Sequence, residues 1–515
     1  MSAEVFEKIS PVIIVKNGAK HLFKCLNSLK AFKEVVMVDN ESDDNTLEIA
    51  KQFQNVVIFS SPFLGFGPLK NLAVSKSTND WVLIIDSDEV LSEELIQNLK
   101  KIDLSDINQV FELKRLNHYR QRPIKACGWE NDWQQRIFNR SKHQFLPVQV
   151  HETLNIIDEL SIIKKIEGNL LHYPFDSIKS LLAKMDQYAE LYAKQKTKSK
   201  NIYPLVAVFK AFFTFFRDYF LLKGFVYGFD GFIISVCNAN GTLYKYLKLI
   251  EFNRSLPVSL AITTFNRHDA LNAVLKSVEK QTIKPVEVII ADDGSGDETL
   301  RLIEEWRLKA SINIVHVWHD DLGFRAAKIR NEAIKVAQSP YLVFIDGDMV
   351  LHKKFIEDHI RFARRGVWVQ GSRVLVNAKK TAQIIQNYET GLNWFQKGIK
   401  NRLNAMRMPL FSQLFFLKSR KDLESTKTCN LAFWKDDAYL VNGFDEDFIG
   451  WGREDSEFVA RLMHSGIKRK DLKFSALAFH LEHPYNSRAS LPENDERLNQ
   501  TVTSKKRICS NGLVK

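Results

Sequence analysis

The chain has 515 residues, 45% hydrophobic and 26% charged, which asks for at least two domains with cores of their own and excludes a disordered polypeptide. Its 22 glycines and 13 prolines exclude a low-complexity or collagen-like chain. Lys and Arg number 73 against 61 Asp and Glu, a formal charge of +12, so an anionic partner is expected: nucleic acid, a phosphorylated substrate or an acidic membrane face.

The first apolar runs, 12–15, 35–38 and 81–85, are short and β-branched and read as buried parallel strands, with a helical pattern over 19–30. The pattern returns as strands at 259–263, 288–290 and 341–345 and a helix over 269–280. Strand–helix alternation predicts an α/β sheet covered on both faces, with ligands beyond the carboxyl ends of its strands. The sequence itself also repeats: 11–29 match 258–278, 35–50 match 288–303, 64–73 match 322–333, and 81–90 match 341–350. Asn17 aligns with Asn266, and Asp39, Ser42, Asp44 and Thr46 align with Asp292, Ser295, Asp297 and Thr299. Four blocks in one order predict two homologous domains, 1–195 and 253–515, with 196–252 as a helical amphipathic connector.

In each copy the third strand runs into an acidic pair, Asp86-Ser87-Asp88 and Asp346-Gly347-Asp348. Two carboxylates around one small residue suit Mg²⁺ or Mn²⁺, and such an ion would bridge a diphosphate. The same residue types also make plain turns; their recurrence at matching places favours metal. The Asp-x-x-Ser-x-Asp-x-Thr stretch fits contacts to a base and ribose, a cap on the following helix, or both.

Taken together, the strand–Asn–helix opening, VDN or ADDGS with its later Asp and Thr, LGF…KNLA or LGF…RNEA, and DxD resemble family 2 glycosyltransferases of the GT-A fold. The resemblance covers roughly the first hundred residues of each copy. It implies two tandem GT-A domains (Rossmann-like, nucleotide-diphospho-sugar transferases), a UDP-sugar donor, a divalent cation and inversion at the anomeric carbon. By that likeness Asp39 and Asp292 meet the base and ribose, Asp86 and Asp346 the ribose or metal, Asp88 and Asp348 the metal, and Lys70 and Arg330 the diphosphate.

The copies then diverge. Residues 428–466, with NGFDEDFIGWGREDSEF, and FHLEHP at 479–484 resemble the carboxyl-terminal motif of galactosyl- and N-acetylgalactosaminyltransferases, including the chondroitin-polymerase group. Inverting transfer needs a carboxylate to take the acceptor's proton, and Glu454-Asp455 follow a Gly-Trp-Gly turn. The resemblance makes Asp455 the base, Trp451 a sugar platform and His483, or His480, the third metal ligand; an acidic surface loop is the alternative. The amino-terminal copy has DSDE at 86–89, then 127–154 and 170–195, and resembles the lipopolysaccharide core β-glucosyltransferase group. Glu152 or Glu89 is its candidate base, His172 a metal ligand and Arg136 a phosphate contact; His151 and Glu152 equally suit a satisfied loop pair.

Between the copies, Phe209, Phe212, Phe213, Phe216 and Phe220 form an aromatic stripe near Lys210, Arg217 and Lys223. It suits the membrane interface, or a helix packing the two domains together. No run of about 20 uncharged residues survives for a spanning helix. The five cysteines form no CxxC pair, and the start lacks a secretory pattern, so a cytoplasmic protein is expected, peripheral on the inner membrane at most. The expected function is bifunctional, inverting, metal-dependent sugar transfer from nucleotide sugars to a lipid-linked surface glycan. The alternatives are a polymerase alternating two sugars and a transferase with one glycan-binding domain. No motif supports nucleic acid as partner.

Overall fold

The computed structural model describes residues 4–145, 154–155, 161–200, 202–484 and 487–515. Two units emerge, Met1–Gln195 with Ile202–Ile250, and Lys196–Asn201 with Glu251–Lys515. The expectation of a separate connector over 196–252 is thereby corrected. Residues 202–250 belong to the first unit because Ile233, Ile234 and Cys237 are buried against Tyr119, Ile124, Cys127, Phe175 and Leu181. Residues 196–201 join the second, where the buried Lys198 ammonium donates to the carbonyls of Asn253 and Ile360.

In the first unit the parallel strands Val56–Ser60, Val35–Asp39, Ile9–Val15 and Trp81–Ile84 lie side by side, in that order. Their runs are apolar without alternation because the central strands are covered on both faces. The sheet continues antiparallel through Asp132–Asn139 and Gln109–Tyr119, then parallel into Ile162–Phe175, with Glu89–Leu91 antiparallel at its edge. The second unit repeats the path: Asn313–Trp318, Glu287–Asp292, Val258–Thr264 and Tyr341–Asp346, then Leu431–Trp434, Val367–Gly371 and Lys468–Leu472. Its pairing senses are also the same in order. A separate three-stranded sheet joins Met349–Leu351, Ala478–His480 and Arg373–Leu375.

The helices bury the faces their spacing dictates. Ala19–Ser28 turns Leu22, Cys25 and Leu26 inward, and His268–Glu279 turns Leu271, Val274, Leu275 and Val278 inward. Each follows an Asn with positive φ, Asn17 at 54° and Asn266 at 47°, a conformation Asn tolerates. The N–H of Asn17 donates to Ser42 Oγ at 2.9 Å, and that of Asn266 to Ser295 Oγ at 2.8 Å. These repeated Asn and Ser residues thus clip the first strand–helix turn to the second in both copies.

Candidate active site

In the second unit a cavity of about 630 Å³ opens beyond the carboxyl ends of the parallel strands. Asp348 stands on its floor, where the strand Tyr341–Asp346 has just ended. The register Met349↔His480 brings the strand Ala478–His480 alongside, so His480 Nε2 lies 3.7 Å from Asp348 Oδ1 and His483 Nε2 3.3 Å from Oδ2. All three residues offer a ligand atom within 4.8 Å of one another. His483 Nδ1–H donates to the carbonyl of Pro484 at 2.6 Å, which leaves Nε2 for a cation. Burial pushes the His480 pKa down to about 4, with Asp348 opposing, so the imidazole is neutral, as a ligand must be. Asp348 Oδ1 is buried without a hydrogen bond, the state expected of a donor atom reserved for a metal. One carboxylate and two imidazoles fit Mn²⁺ better than Mg²⁺, which prefers oxygen throughout. His480 and His483 therefore come to the same place, where the sequence reading had weighed one against the other.

Asp346 is lifted to about 6, chiefly by burial and then by Asp348. Arg330 reaches across from the helix Ala326–Val336; its Nη1 donates to Glu454 Oε1 at 2.7 Å, and Nη2 lies 3.9 Å from Asp346. Glu454 thus holds Arg330 through Oε1 while its Oε2 is buried without a partner, and both it and Asp455 line the cavity at the start of the helix Glu454–His464. Asp455 Oδ1 accepts from the Ser456 N–H at 2.6 Å. Burial, then the Glu454 charge, raises its pKa to about 7 against the pull of Arg330. Trp451, 38% exposed, lies on the cavity wall between Gly450 and Gly452, at φ 79° and 112°. A Cβ on Gly450 would meet Ser490 Oγ at 2.2 Å, so the turn that presents the indole needs that glycine.

The first unit offers a related but differently charged arrangement. His172 Nε2 lies 3.5 Å from Asp88 Oδ2, and Nδ1 is 2.6 Å from Asn117 Oδ1, which fixes the proton there. Asp88 stays below the ordinary carboxylate range because His172 outweighs its burial. Among the described residues this is two ligands rather than three. Asp86 is held well below the usual range: burial opposes, and Arg136 at 3.0 Å and Lys70 at 3.8 Å prevail.

Three expectations change. Glu89 is fully buried, with Oε1 taken by Arg136 at 2.5 Å and Oε2 by the Asp86 N–H at 2.9 Å, so no oxygen remains for an acceptor proton; it orients Arg136. Arg136 in turn is committed to two carboxylates rather than open to phosphate. Asp292, 1% exposed, spends its oxygens on the Ser295 N–H at 2.9 Å and His316 at 3.1 Å, and Asp293 lines the cavity in its stead. Asp39 keeps one buried oxygen without a partner while the other accepts from the Ser42 N–H at 3.1 Å. Glu152 and His151 lie outside the described residues.

One paired device escaped the sequence reading. Asn331 Nδ2 donates to the Phe444 carbonyl and its Oδ1 accepts the Phe444 N–H, both at 2.8 Å; Asn71 does the same with Phe145, both at 2.9 Å. The preceding cation sits over the same ring, Arg330 at 5.6 Å from Phe444 and Lys70 at 5.5 Å from Phe145. The signal was the matched Lys70-Asn71 and Arg330-Asn331. Asn331→Ala strands two buried backbone groups, so a loss of about 2–4 kcal/mol is expected, read from the denaturant midpoint.

The sequence model described as glycosyl transferase family 2 matches residues 10–140 and again 259–423, more than half of the chain. One described as the N-terminal domain of galactosyltransferase matches 411–484. An uncharacterized glycosyltransferase of Rickettsia prowazekii (strain Madrid E) is 32% identical over 278 residues, 50% of this chain and 92% of that protein. The chondroitin synthase of Escherichia coli is 26% identical over 242 residues, 44% of this chain and 35% of its own length. Among solved structures, a mannosyltransferase from Pyrobaculum calidifontis in complex with GDP-Man and Mn²⁺ is similar at 15% identity and a TM-score of 0.34, covering 49% of this chain and 65% of that one.

Proposed function

Because the chain belongs to glycosyl transferase family 2, we propose that each of its two units transfers a sugar, with inversion, from a nucleotide-diphospho-sugar to a growing glycan. The observation that carries the reading is the second unit's cavity, in which Asp348, His480 and His483 converge on one side and Asp455 on another. Asp348, His480 and His483 would hold a divalent cation, which would supply Lewis acidity towards the leaving diphosphate. Arg330, pinned between Glu454 and Asp346, adds fixed positive charge on that side. Asp455 accepts the proton of the acceptor hydroxyl as that oxygen attacks, and the Trp451 face orients a sugar ring. In the first unit Asp88 and His172 take the metal side, with Lys70 and Arg136 fixing the charge of Asp86.

Release of UDP from a panel of UDP-sugars tests bifunctionality. Asp88→Asn is expected to remove one donor's turnover and leave the other. Loss of both, or of neither, would contradict two independent transfer sites.

The acceptor in this reading is lipid-linked and the chain works at a membrane surface. Leu205, Phe209, Phe212, Phe213, Phe220 and Phe229 are all at least half exposed, beside Lys210 and Lys223. No single described helix is long and apolar enough to cross a bilayer; Pro204–Leu221 and Gly224–Arg254, bent by 68°, pass that test only as a pair. Such a face suits interfacial binding to anionic lipid. Phe209→Glu with Phe212→Glu is expected to weaken sedimentation with phosphatidylglycerol vesicles about 100-fold, at unchanged thermal stability. Equal sedimentation would remove the membrane from the proposal.

A further inference from the structure

The repeat allows each side chain of one site to be matched with its counterpart in the other by strand register. In the first unit Arg115 pairs with Leu170, two residues before His172, and His172 faces Glu89 across the next strand. In the second, Arg373 pairs with Ala478, two residues before His480, and His480 faces Met349. Arg373 is therefore the counterpart of Arg115, and Met349 of Glu89. Ile137 and Ala432 are register partners of the matching residues Leu83 and Val343; counting five residues back from each reaches Asp132, the register partner of Arg115, and Lys427, which stands just ahead of the short helix Thr428–Asn430.

The arginine is common to both sites, but the charges around it differ. Arg115 is neutralised internally, by Asp132 at 2.8 Å and Glu89 at 3.7 Å. In the second unit one carboxylate has become methionine and the other lysine. Among the described residues the Arg373 guanidinium and the Lys427 ammonium make no hydrogen bond or ion pair, although both line the cavity and both are half-buried. Burial, and then Arg373, hold the Lys427 ammonium below its ordinary pKa. Two neighbouring cations partly withdrawn from water with no carboxylate in contact are costly, and an oxyanion bound between them relieves that cost.

We propose that Arg373 and Lys427 hold a carboxylate or phosphate carried by the acceptor, on the cavity wall beside Asp455. The proposal rests on the transfer reading above. The acceptor is favoured over the donor because the diphosphate side already has its own charges: Asp348 with Arg267 at 3.1 Å, and Asp346 with Arg330. Arg373 feels the field of Asp346, and Lys427 that of Asp455, the group that must meet the acceptor hydroxyl, so the pair reaches from the metal side towards the base. The second unit would then select an anionic sugar, and the first, whose arginine is already paired, would not use this position for one.

The test uses the full chain with UDP and Mg²⁺ and compares methyl β-glucuronide, glucose 6-phosphate and neutral methyl β-glucoside by saturation-transfer NMR. One anionic probe is expected to bind about tenfold or more tightly than the glucoside. Arg373→Met and Lys427→Met should each erase most of that preference, and Arg373→Lys should retain part of it. Calorimetric UDP affinity should stay within about twofold in all three. Reduced UDP affinity in the methionine variants would assign the pair to the donor diphosphate and overturn the proposal. Equal or undetectable binding of the three probes by the wild type would overturn it as well. Asp348→Asn separates the two levels: undiminished calorimetric UDP·Mn²⁺ affinity in that variant counts against the donor reading itself, whereas loss of anion preference with UDP binding intact concerns Arg373 and Lys427 alone.

Discussion

Asp348→Asn is expected to lower sugar transfer by the second unit by a factor on the order of 10²–10³, with transfer by the first unit unchanged. Asparagine preserves the shape of the side chain and its place after the strand, so folding is not the variable. What changes is the charge between His480 and His483, 3.7 and 3.3 Å away, and with it the only anionic ligand of the trio. Arg267, which donates to Asp348 Oδ2 at 3.1 Å, loses its ion pair too. Stripping divalent cations from the wild type should reproduce the loss, and Mn²⁺ should restore the wild type but not the variant. Product masses from a donor panel, before and after chelation, read both effects. Wild-type turnover in Asp348→Asn would end the metal assignment for this unit.

Much of this site was legible in the sequence because repetition supplies an internal control. Asp88 and Asp348 were marked by their neighbours and by each other, and both stand at the turn where the fourth parallel strand has ended. The parallel strands were readable from apolar runs without alternation. What escaped was set by long-range register. Whether His480 or His483 reaches Asp348 depends on a strand that returns from far along the chain to pair with Met349–Leu351, and spacing alone cannot rank two histidines three residues apart. Glu89 is the converse case. DSDE presents three carboxylates within four residues, yet the pleat turns one of them into a fully buried pocket facing Arg136, and only the antiparallel partner strand reveals which. The stretch after the first copy misled for another reason. Its aromatic spacing was right, but Ala207, Ala211, Gly231 and Gly241 provide a second, small-residue face that packs within the first unit. A pattern search tuned to large hydrophobic residues passes over such a face.

Asp455→Asn is expected to reduce kcat of the second unit about 10²–10⁴-fold with little change in donor KM. Asparagine retains the acceptor for the Ser456 N–H, which bonds Oδ1 at 2.6 Å, but cannot take up a proton. The wild-type pH profile follows from the same group. Only ionised Asp455 serves as base, and its pKa is raised to about 7, first by burial and then by Glu454, with Arg330 opposing. Activity should therefore rise with pH along a limb centred near pH 7, and one unit below that centre about a tenth of the plateau should remain. Arg330→Met removes the opposing cation, so the base becomes harder to ionise and the limb moves to higher pH. A purely structural defect would lower the plateau and leave the limb in place, which makes the shift, rather than the loss, the diagnostic reading. Asp346, raised to about 6, is the competing owner of the limb. If Asp346→Gln abolishes the limb while Asp455→Asn retains it on a surviving plateau, the base has been assigned to the wrong carboxylate.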